Sequence, residues 1–324
     1  MKVLVIGGAG YIGSHAVYEL IRDKNEVIVM DNLSTGNRDM VHKSAKFYYG
    51  DITKREDLDK VFSNENGIDI VMHFAAKLIV PESVKMPLEY YYNNVEGVRL
   101  MLDAMIRYGV KNVVFSSTAA VYGEPIKPIC EEDDITLPIN PYGASKLATE
   151  NMIKWVCNAY NMNYCIFRYF NVAGADKSLE IGLDKDNLTH LIPIVTQTIL
   201  GIRDKMKVFG DDYDTPDGTC IRDYIHVTDL ALAHILGAKY ILNNNKSILV
   251  NLGSNNGYSV KEVIDAASIY GKVNYEIVER REGDPAKLIA SNSKAKDLLG
   301  WIPKYTLDDM IKTDLEFRRK INNK

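Results

Sequence analysis

The sequence predicts an α/β chain: a doubly wound parallel sheet with a smaller α/β substrate-binding domain after it. Three observations carry this. Short β-branched runs alternate with helical stretches over the first half of the 324 residues, the pattern of a parallel sheet covered on both faces. A glycine-rich turn, Gly7 to Gly13, stands between the first strand and the first helix. After Asn171 the alternation gives way to polar, glycine-containing segments and shorter elements. The expected domains are therefore residues 1–170 and 171–324, with some later segments returning to the first.

The first strand is "KVLVI". It is followed by an amphipathic stretch with Ile12, Ala16, Leu20 and Ile21 spaced for one buried face. Further strands are read at "EVIVMD", "KFYYGD", "IDIVMHFAA", "KNVVFSS" and "YCIFRYF". That makes six up to about Phe170, a dinucleotide-type Rossmann architecture. "GADKSLEIGLDKDNLTHLIP" and "FGDDYDTPDGTCIRDY" then open the irregular second part. "ILVNLG", a helix from about Ser259, "NYEIVER" and a final helix after Leu307 complete it. The tail "RRKINNK" is expected to fray.

Composition narrows the function. The chain is 46% hydrophobic and 25% charged with a net charge of −4, so neither nonspecific nucleic-acid binding nor a polybasic membrane patch is expected. No apolar run approaches membrane-spanning length. The N-terminal "MKVLVIGG" enters a strand pattern without the longer apolar region and cleavage site of a signal peptide. Cys130, Cys157, Cys165 and Cys220 are scattered, without a C-x-x-C pair. They read as buried thiols in a reducing, cytoplasmic setting rather than disulfides or zinc ligands. The six histidines form no pair with ligand spacing, and neither G-x-x-x-x-G-K-[ST] nor G-x-S-x-G occurs. No metal, ATP-loop or serine-hydrolase chemistry is expected.

The turn "VIGGAGYIGSH" satisfies G-x-G-x-x-G through Gly8, Gly10 and Gly13, and G-x-x-G-x-x-G through Gly7, Gly10 and Gly13. Glycine lets backbone approach a pyrophosphate, whose charge a helix N-terminus favours. The second strand ends in Asp31, where a carboxylate would accept the adenosine ribose hydroxyls and repel a 2′-phosphate. This favours NAD over NADP, with Arg38 the feature that would accommodate NADP.

"PINPYGASK" places Tyr142 and Lys146 four apart at a helix start, hence on one face. A free phenol titrates near 10. An adjacent ammonium and a positive nicotinamide ring would both lower that value and make Tyr142 a base. "FSSTAAVYG" supplies hydroxyls at the carboxyl end of the sheet, and Thr118 could share a proton between Tyr142 and a substrate hydroxyl. The competing reading is that Ser116, Ser117 and Thr118 only cap backbone groups.

Taken together, the glycine turn, Asp31, Asp51-Ile52, "HFAA", "FSSTAAVYG" and Tyr-x-x-x-Lys resemble the extended short-chain dehydrogenase/reductase family over almost the full length. "PLEYYYNNV", "RYFNVAGA", "RDYIHVTDLA" and "RREGDPA" resemble its members that invert C4 of a UDP-hexose. The resemblance implies Tyr11 and Ile12 at the pyrophosphate. It puts Asp31, Asn32, Leu33, Ser34, Thr35 and Gly36 around the adenosine ribose, with Asp51 and Ile52 flanking the adenine. Phe74, Ala75, Ala76, Asn93 and Phe170 are implied along the cofactor, Tyr142 as base, Lys146 as its electrostatic partner and ribose anchor, and Thr118 as relay. For the nucleotide sugar it implies Asn171 near the diphosphate, His190 and Leu191 in contact, and Val208-Phe209 beside the uracil. Arg222 and Arg281 would neutralise the diphosphate, as paired guanidinium donors suit, and Asp284 would hold the uridine ribose. The implied activity is interconversion of UDP-glucose and UDP-galactose by hydride transfer at C4 with tightly bound NAD, in a homodimer.

Val95, Val98, Leu102, Met105 and Ile106 form an apolar helical face that is either core or dimer interface. Relatives read Phe-Ala-Gly-Leu-Lys where this chain has Phe74-Ala75-Ala76-Lys77-Leu78. The lysine sits one place early, and no nicotinamide role is carried over to Lys77. Leu288 stands where relatives set room around the sugar's C2 substituent, so acceptance of N-acetylated sugars stays open. Three rivals remain. A 4,6-dehydratase needs carboxylates beside the threonine, where this chain has Ala119 and Ala120. A 4-epimerase of another UDP-sugar would share every catalytic residue. A nonenzymatic NAD sensor could dispense with Tyr142 and Lys146.

Overall fold

The computed structural model describes residues 1–184, 188–281 and 284–322. In chain order the elements begin β1 (Lys2–Ile6), α1 (Tyr11–Arg22), β2 (Glu26–Asp31), β3 (Lys46–Tyr49), α2 (Arg55–Asn64), β4 (Ile70–His73), α3 (Val80–Lys85) and α4 (Pro87–Tyr91). They continue α5 (Gly97–Arg107), β5 (Asn112–Ser116), β6 (Ile129–Cys130), α6 (Pro141–Ala159), β7 (Asn163–Tyr169), β8 (Asn171–Ala173), α7 (Leu191–Ile199), β9 (Met206–Phe209) and β10 (Ile221–His226). The last are α8 (Val227–Asn244), β11 (Ile248–Leu252), β12 (Gly257–Ser259), α9 (Val260–Ser268), β13 (Tyr275–Val278), β14 (Lys287–Ala290), α10 (Ser293–Leu299) and α11 (Leu307–Asn322). Two compact units result. One is Met1–Gly123, Glu132–Tyr169 and Ala231–Val250; the other is Glu124–Glu131, Phe170–Leu230 and Asn251–Lys324.

The first unit is organised by a seven-stranded sheet of order β11-β7-β5-β4-β1-β2-β3. Its pairings from β3 through β7 are parallel. Apolar residues fill both faces, as helix-covered strands require: Val3, Leu4, Ile28, Val71, Val113 and Phe115 have no exposed surface. The six strands read from the sequence are β1 to β5 and β7. β11 comes from the later "ILVNLG". Strand order reverses between β1 and β4, whose ends Ile6 and His73 are in register. Ligands bind open α/β sheets at such a reversal.

α5 turns Val98, Leu102 and Met105 into the core, each at most 2% exposed. These residues pack against Leu58, Phe62 and the sheet, so they answer the core reading of that apolar face. The exposed apolar groups lie just before it: Val84 on α3, Leu88 on α4, and Tyr92. A π-helical turn, Tyr92–Glu96, joins α4 to α5; such turns are frequent at functional positions.

In the second unit β12, β10, β14 and β6 form a sheet with β8 against β10, while β9 pairs with β13. A core of Ile192, Val195, Met206, Val208, Val263, Ile264 and Ile311 lies beneath them. The tail corrects its expectation: α11 stays helical to Asn322. Arg318 is buried because Asp314 takes its Nε at 2.7 Å and Nη2 at 3.1 Å. The last two residues of that tail, Asn323 and Lys324, fall outside the described residues.

Candidate active site

The glycine turn follows β1 and opens α1. Gly7 has φ +84°, and a Cβ there would stand 2.5 Å from the Ala75 nitrogen, so only glycine fits where the two strand ends meet. At Gly10 a Cβ would meet nothing nearer than the Gly7 oxygen at 3.4 Å. The protein's own packing does not demand glycine there. Gly10 is the N-cap of α1 and offers no side-chain oxygen. Tyr11, Ile12 and Gly13 form the first turn of the helix, whose dipole favours negative charge at this end.

Asp31 ends β2 almost buried, at 9% exposure. Its Oδ2 accepts the Ala9 N–H at 2.9 Å and its Oδ1 the Leu33 N–H at 2.8 Å. Those two bonds fix the carboxylate beside the glycine turn. Asn32, Leu33, Ser34, Thr35 and Gly36 follow as a bend, with Leu33 at φ +56°. Asn32 donates to Asp51 Oδ2 at 3.0 Å. Burial alone would raise the Asp51 carboxyl, but donation from the Thr53 hydroxyl and N–H and from Asn32 outweighs it and holds the group below its ordinary range. Ile52 is buried beneath α5 against Gly97. Arg38 lies over the Phe47 ring, 4.4 Å from its centroid.

Phe74, Ala75 and Ala76 leave β4, tied by Phe74 N–H to the Ile6 carbonyl at 2.8 Å. The π-helical turn presents Asn93 and Asn94. Asn94 accepts the Lys77 N–H at 2.9 Å, donates to the Lys77 carbonyl at 3.0 Å, and receives Asn93 Nδ2 at 2.9 Å. This buried clamp fixes the strand exit that the sequence assigns to a cofactor wall. The Lys77 ammonium turns away to Glu82 at 3.4 Å.

Tyr142 and Lys146 stand on the first turns of α6. Asn140 caps that helix, accepting the Gly143 N–H at 2.9 Å, and Pro141 starts it. A Cβ at Gly143 would lie 2.5 Å from the Ala120 oxygen, so glycine lets α6 approach the 3₁₀ turn Ala119–Tyr122. Thr118 caps that turn through Ala120 N–H and is hydrogen-bonded to the Tyr142 phenol. Lys146 donates to the Ser116 carbonyl at 2.7 Å and lies 4.7 Å from the Phe115 ring centroid.

Burial sets the direction of both titrations. Burial pushes the Tyr142 phenol up to about 12, with Thr118 pulling it down and the Tyr90 phenol adding to the rise. Burial pushes the Lys146 amine down to about 7, with Glu150 opposing. The lysine spends its hydrogen bond on Ser116, so desolvation governs the phenol.

The second unit holds the remaining candidates. Arg222, on β10, donates to Asp284 Oδ1 at 2.6 Å, and Leu288 is its register partner on β14. Asn171 donates to the Asp223 carbonyl at 3.0 Å. The Arg281 guanidinium stands 3.8 Å from the Phe209 ring centroid. Val208 points into the core at 1% exposure, leaving Phe209 as the aromatic surface of β9. His190 and Leu191 open α7, and half-buried Phe170 links β7 to β8. Glu282 and Gly283 of "RREGDPA" fall outside the described residues.

Sequence reasoning missed the layer behind Tyr142 and Lys146. Ser116 and Ser117 do not serve as backbone caps. Ser116 Oγ meets His234 Nε2 at 2.9 Å. Ser117 Oγ donates to Glu150 at 2.5 Å, and Glu150 is gripped by Arg168 at 3.0 and 2.7 Å. His73, buried at the end of β4, has no hydrogen-bond partner on either ring nitrogen among the described residues and stacks on Phe115. Burial first, and the Lys146 charge second, push its imidazole down to about 3. One signal was available: Glu150 is a charge one turn beyond Lys146 on the same helix face.

The GDP-mannose 4,6 dehydratase family model matches residues 4–313. A UDP-glucose 4-epimerase of Halalkalibacterium halodurans is 50% identical over 314 residues, 96% of this chain and 93% of that protein. A solved UDP-glucose 4-epimerase superposes with a TM-score of 0.97 at 49% identity, covering 100% of this chain and 99% of the other. The Bifidobacterium longum UDP-glucose 4-epimerase, solved with NAD+ and UDP, gives 0.93 at 39% identity, again over 100% and 99%.

Proposed function

The chain belongs to the UDP-glucose 4-epimerases, within the wider group that the dehydratase model describes, and from that premise we propose that it interconverts UDP-glucose and UDP-galactose with a retained NAD. The observation that carries the reading is the Thr118 hydroxyl on the Tyr142 phenol, with Lys146 one turn along the same face. Alanines occupy 119 and 120, so the carboxylates that water elimination would need beside Thr118 are replaced by methyl groups.

The cofactor site fits a dinucleotide by its own geometry: a helix N-terminus without a side-chain cap, a glycine whose side-chain space the protein leaves open, and a carboxylate fixed beside the glycine turn at the end of the neighbouring strand. Gly7, Gly10, Tyr11, Ile12 and Gly13 would hold the pyrophosphate, Asp31 to Gly36 the adenosine ribose, Asp51 and Ile52 the adenine. Phe74, Ala75, Ala76, Asn93 and Phe170 would line the remainder. Bound NAD+ supplies the hydride acceptor, and later the donor, for C4 of the sugar. Tyr142 takes the 4-hydroxyl proton, Thr118 steers it, and Lys146 anchors a ribose while its positive charge favours the phenolate. Because the phenol sits near 12, that charge is essential to base strength at neutral pH. Tyr142 then returns the proton after the keto sugar has turned over. Asn171, His190, Leu191, Val208, Phe209, Arg222, Arg281 and Asp284 fix the UDP, so the hexose alone reorients.

The assembled form in this reading is a cytoplasmic homodimer, its second copy covering exposed Val84, Leu88 and Tyr92. The four cysteines are buried thiols outside any disulfide, and no described helix is long and apolar enough to cross a membrane. Chromatographic analysis of reactions started from either UDP-hexose tests the activity: both must converge on one mixture. Two mixtures that stay different would reject it.

A further inference from the structure

The 19-residue α6 sets Tyr142, Lys146 and Glu150 at i, i+4 and i+8, along one face. Glu150 has no exposed surface. A buried carboxylate costs several kcal/mol unless its oxygens are fully partnered, and apolar residues often serve stability as well. Here the partnering is complete. Arg168 donates Nε to Oε1 at 3.0 Å and Nη2 to Oε2 at 2.7 Å, and Ser117 adds its hydroxyl at 2.5 Å. Arg168 is itself braced by the Tyr122 hydroxyl at 3.1 Å and the Glu132 carbonyl at 3.2 Å.

The arrangement faces the reaction in two directions. Ser117 immediately precedes Thr118, so the carboxylate tethers the strand end that presents that hydroxyl. Lys146, one turn back, receives only a carbonyl and a ring face from β5. Glu150, although paired with Arg168, stands one turn along the same face, and its charge opposes the burial that drives the Lys146 amine down to about 7.

The other groups around the pair are accounted for. β4 brings His73, and α4 brings Tyr90. β7 brings Tyr164, Arg168 and Tyr169. α6 itself adds Tyr142, and Lys154 at 3.9 Å from Glu150. The α3 residue Glu82 pairs with Lys77, and Glu96 of the π-helical turn and the α5 charges Arg99, Asp103 and Arg107 pair among themselves and with Arg55 and Asp59.

We propose that Glu150 is a positioning residue for the reaction: its carboxylate anchors the Thr118 strand end through Ser117 and holds Lys146 in its ammonium form beside Tyr142. The kinetic consequence rests on the epimerase reading; the charge state of Lys146 does not.

Glu150→Gln alone would strand the Arg168 charge, so the test is the paired Glu150→Gln/Arg168→Met variant, with Ser117→Ala beside it. Protein labelled with ¹³C-lysine reports the Lys146 titration directly. In the paired variant the midpoint should fall, by less than about one pH unit because the opposing Arg168 charge is removed with the carboxylate. Loss of the ammonium would begin at lower pH, and the alkaline limb of kcat/KM should move down with it. Ser117→Ala should leave the midpoint in place and lower kcat several-fold. An unmoved midpoint in the folded paired variant overturns the proposal, and so does a moved midpoint with an unmoved rate limb. A parent protein that turned over no UDP-hexose would count against the epimerase activity, while the titration would still decide the role of Glu150.

Discussion

Replacing Tyr142 with phenylalanine removes one oxygen and leaves the ring. That oxygen is hydrogen-bonded to the Thr118 hydroxyl, so the fold loses a hydrogen bond of about 0.5–1.5 kcal/mol. Melting should hardly change. Turnover is another matter. With the phenol near 12, about one molecule in 10⁵ would be ionised at pH 7 without further positive charge, and water offers no better-placed base. A positioned base contributes about 10²–10⁴-fold, or about 2.7–5.5 kcal/mol in the barrier. Tyr142→Phe should therefore lower kcat by about 10²–10⁴-fold. UDP affinity should stay within about twofold, because the groups proposed to hold UDP belong to the other unit. Steady-state kinetics and calorimetric titration with UDP read the two quantities separately. A kcat within tenfold of the parent, or UDP affinity falling in step with kcat, would refute the assignment of Tyr142 as base.

Other substitutions give sharper contrasts. Gly10→Ala should fold normally, since its Cβ meets nothing closer than 3.4 Å, yet purify with little bound dinucleotide. Gly7→Ala should be destabilised by more than about 1 kcal/mol through its positive φ and the 2.5 Å clash; denaturant titration distinguishes the two. Arg281→Ala, removing an exposed guanidinium stacked on Phe209, should raise KM for UDP-sugars about tenfold or more with kcat little changed. Acid stability has its own marker in Glu65. Burial would raise that carboxyl, but hydrogen bonds from Lys46, Tyr48 and Lys2 prevail and hold it at about 2, below its ordinary 4.5. The unfolded chain binds the proton first, so this stabilisation is present above about pH 4.5 and is lost as pH falls toward 2. Glu65→Gln should flatten the stability profile across that window.

Much of the site was legible because its signals are local. The Tyr142–Lys146 pair needs only helical spacing and the Asn140-Pro141 start, and the glycine turn needs only its place between β1 and α1. The six strands of the first half announced themselves as apolar runs. What the sequence hid depends on partners far along the chain. Ser116 and Ser117 looked like strand-end caps until α8 brought His234 to one and α6 brought Glu150 to the other. The opposing pull of burial on Tyr142 was not legible, because charge proximity can be read from spacing, whereas desolvation comes only with the packed structure. The tail looked frayed because its charges are visible in sequence and the burial of Arg318 against Asp314 is not.

The measurement that bears most directly on the proposed activity is proton NMR in D₂O of the purified protein with UDP-galactose, no nicotinamide cofactor being added. UDP-glucose should appear with its C4 proton undiluted by solvent deuterium, as hydride removal and return on a retained cofactor require. Deuterium at C4, or no UDP-glucose even after NAD+ is supplied, would contradict it.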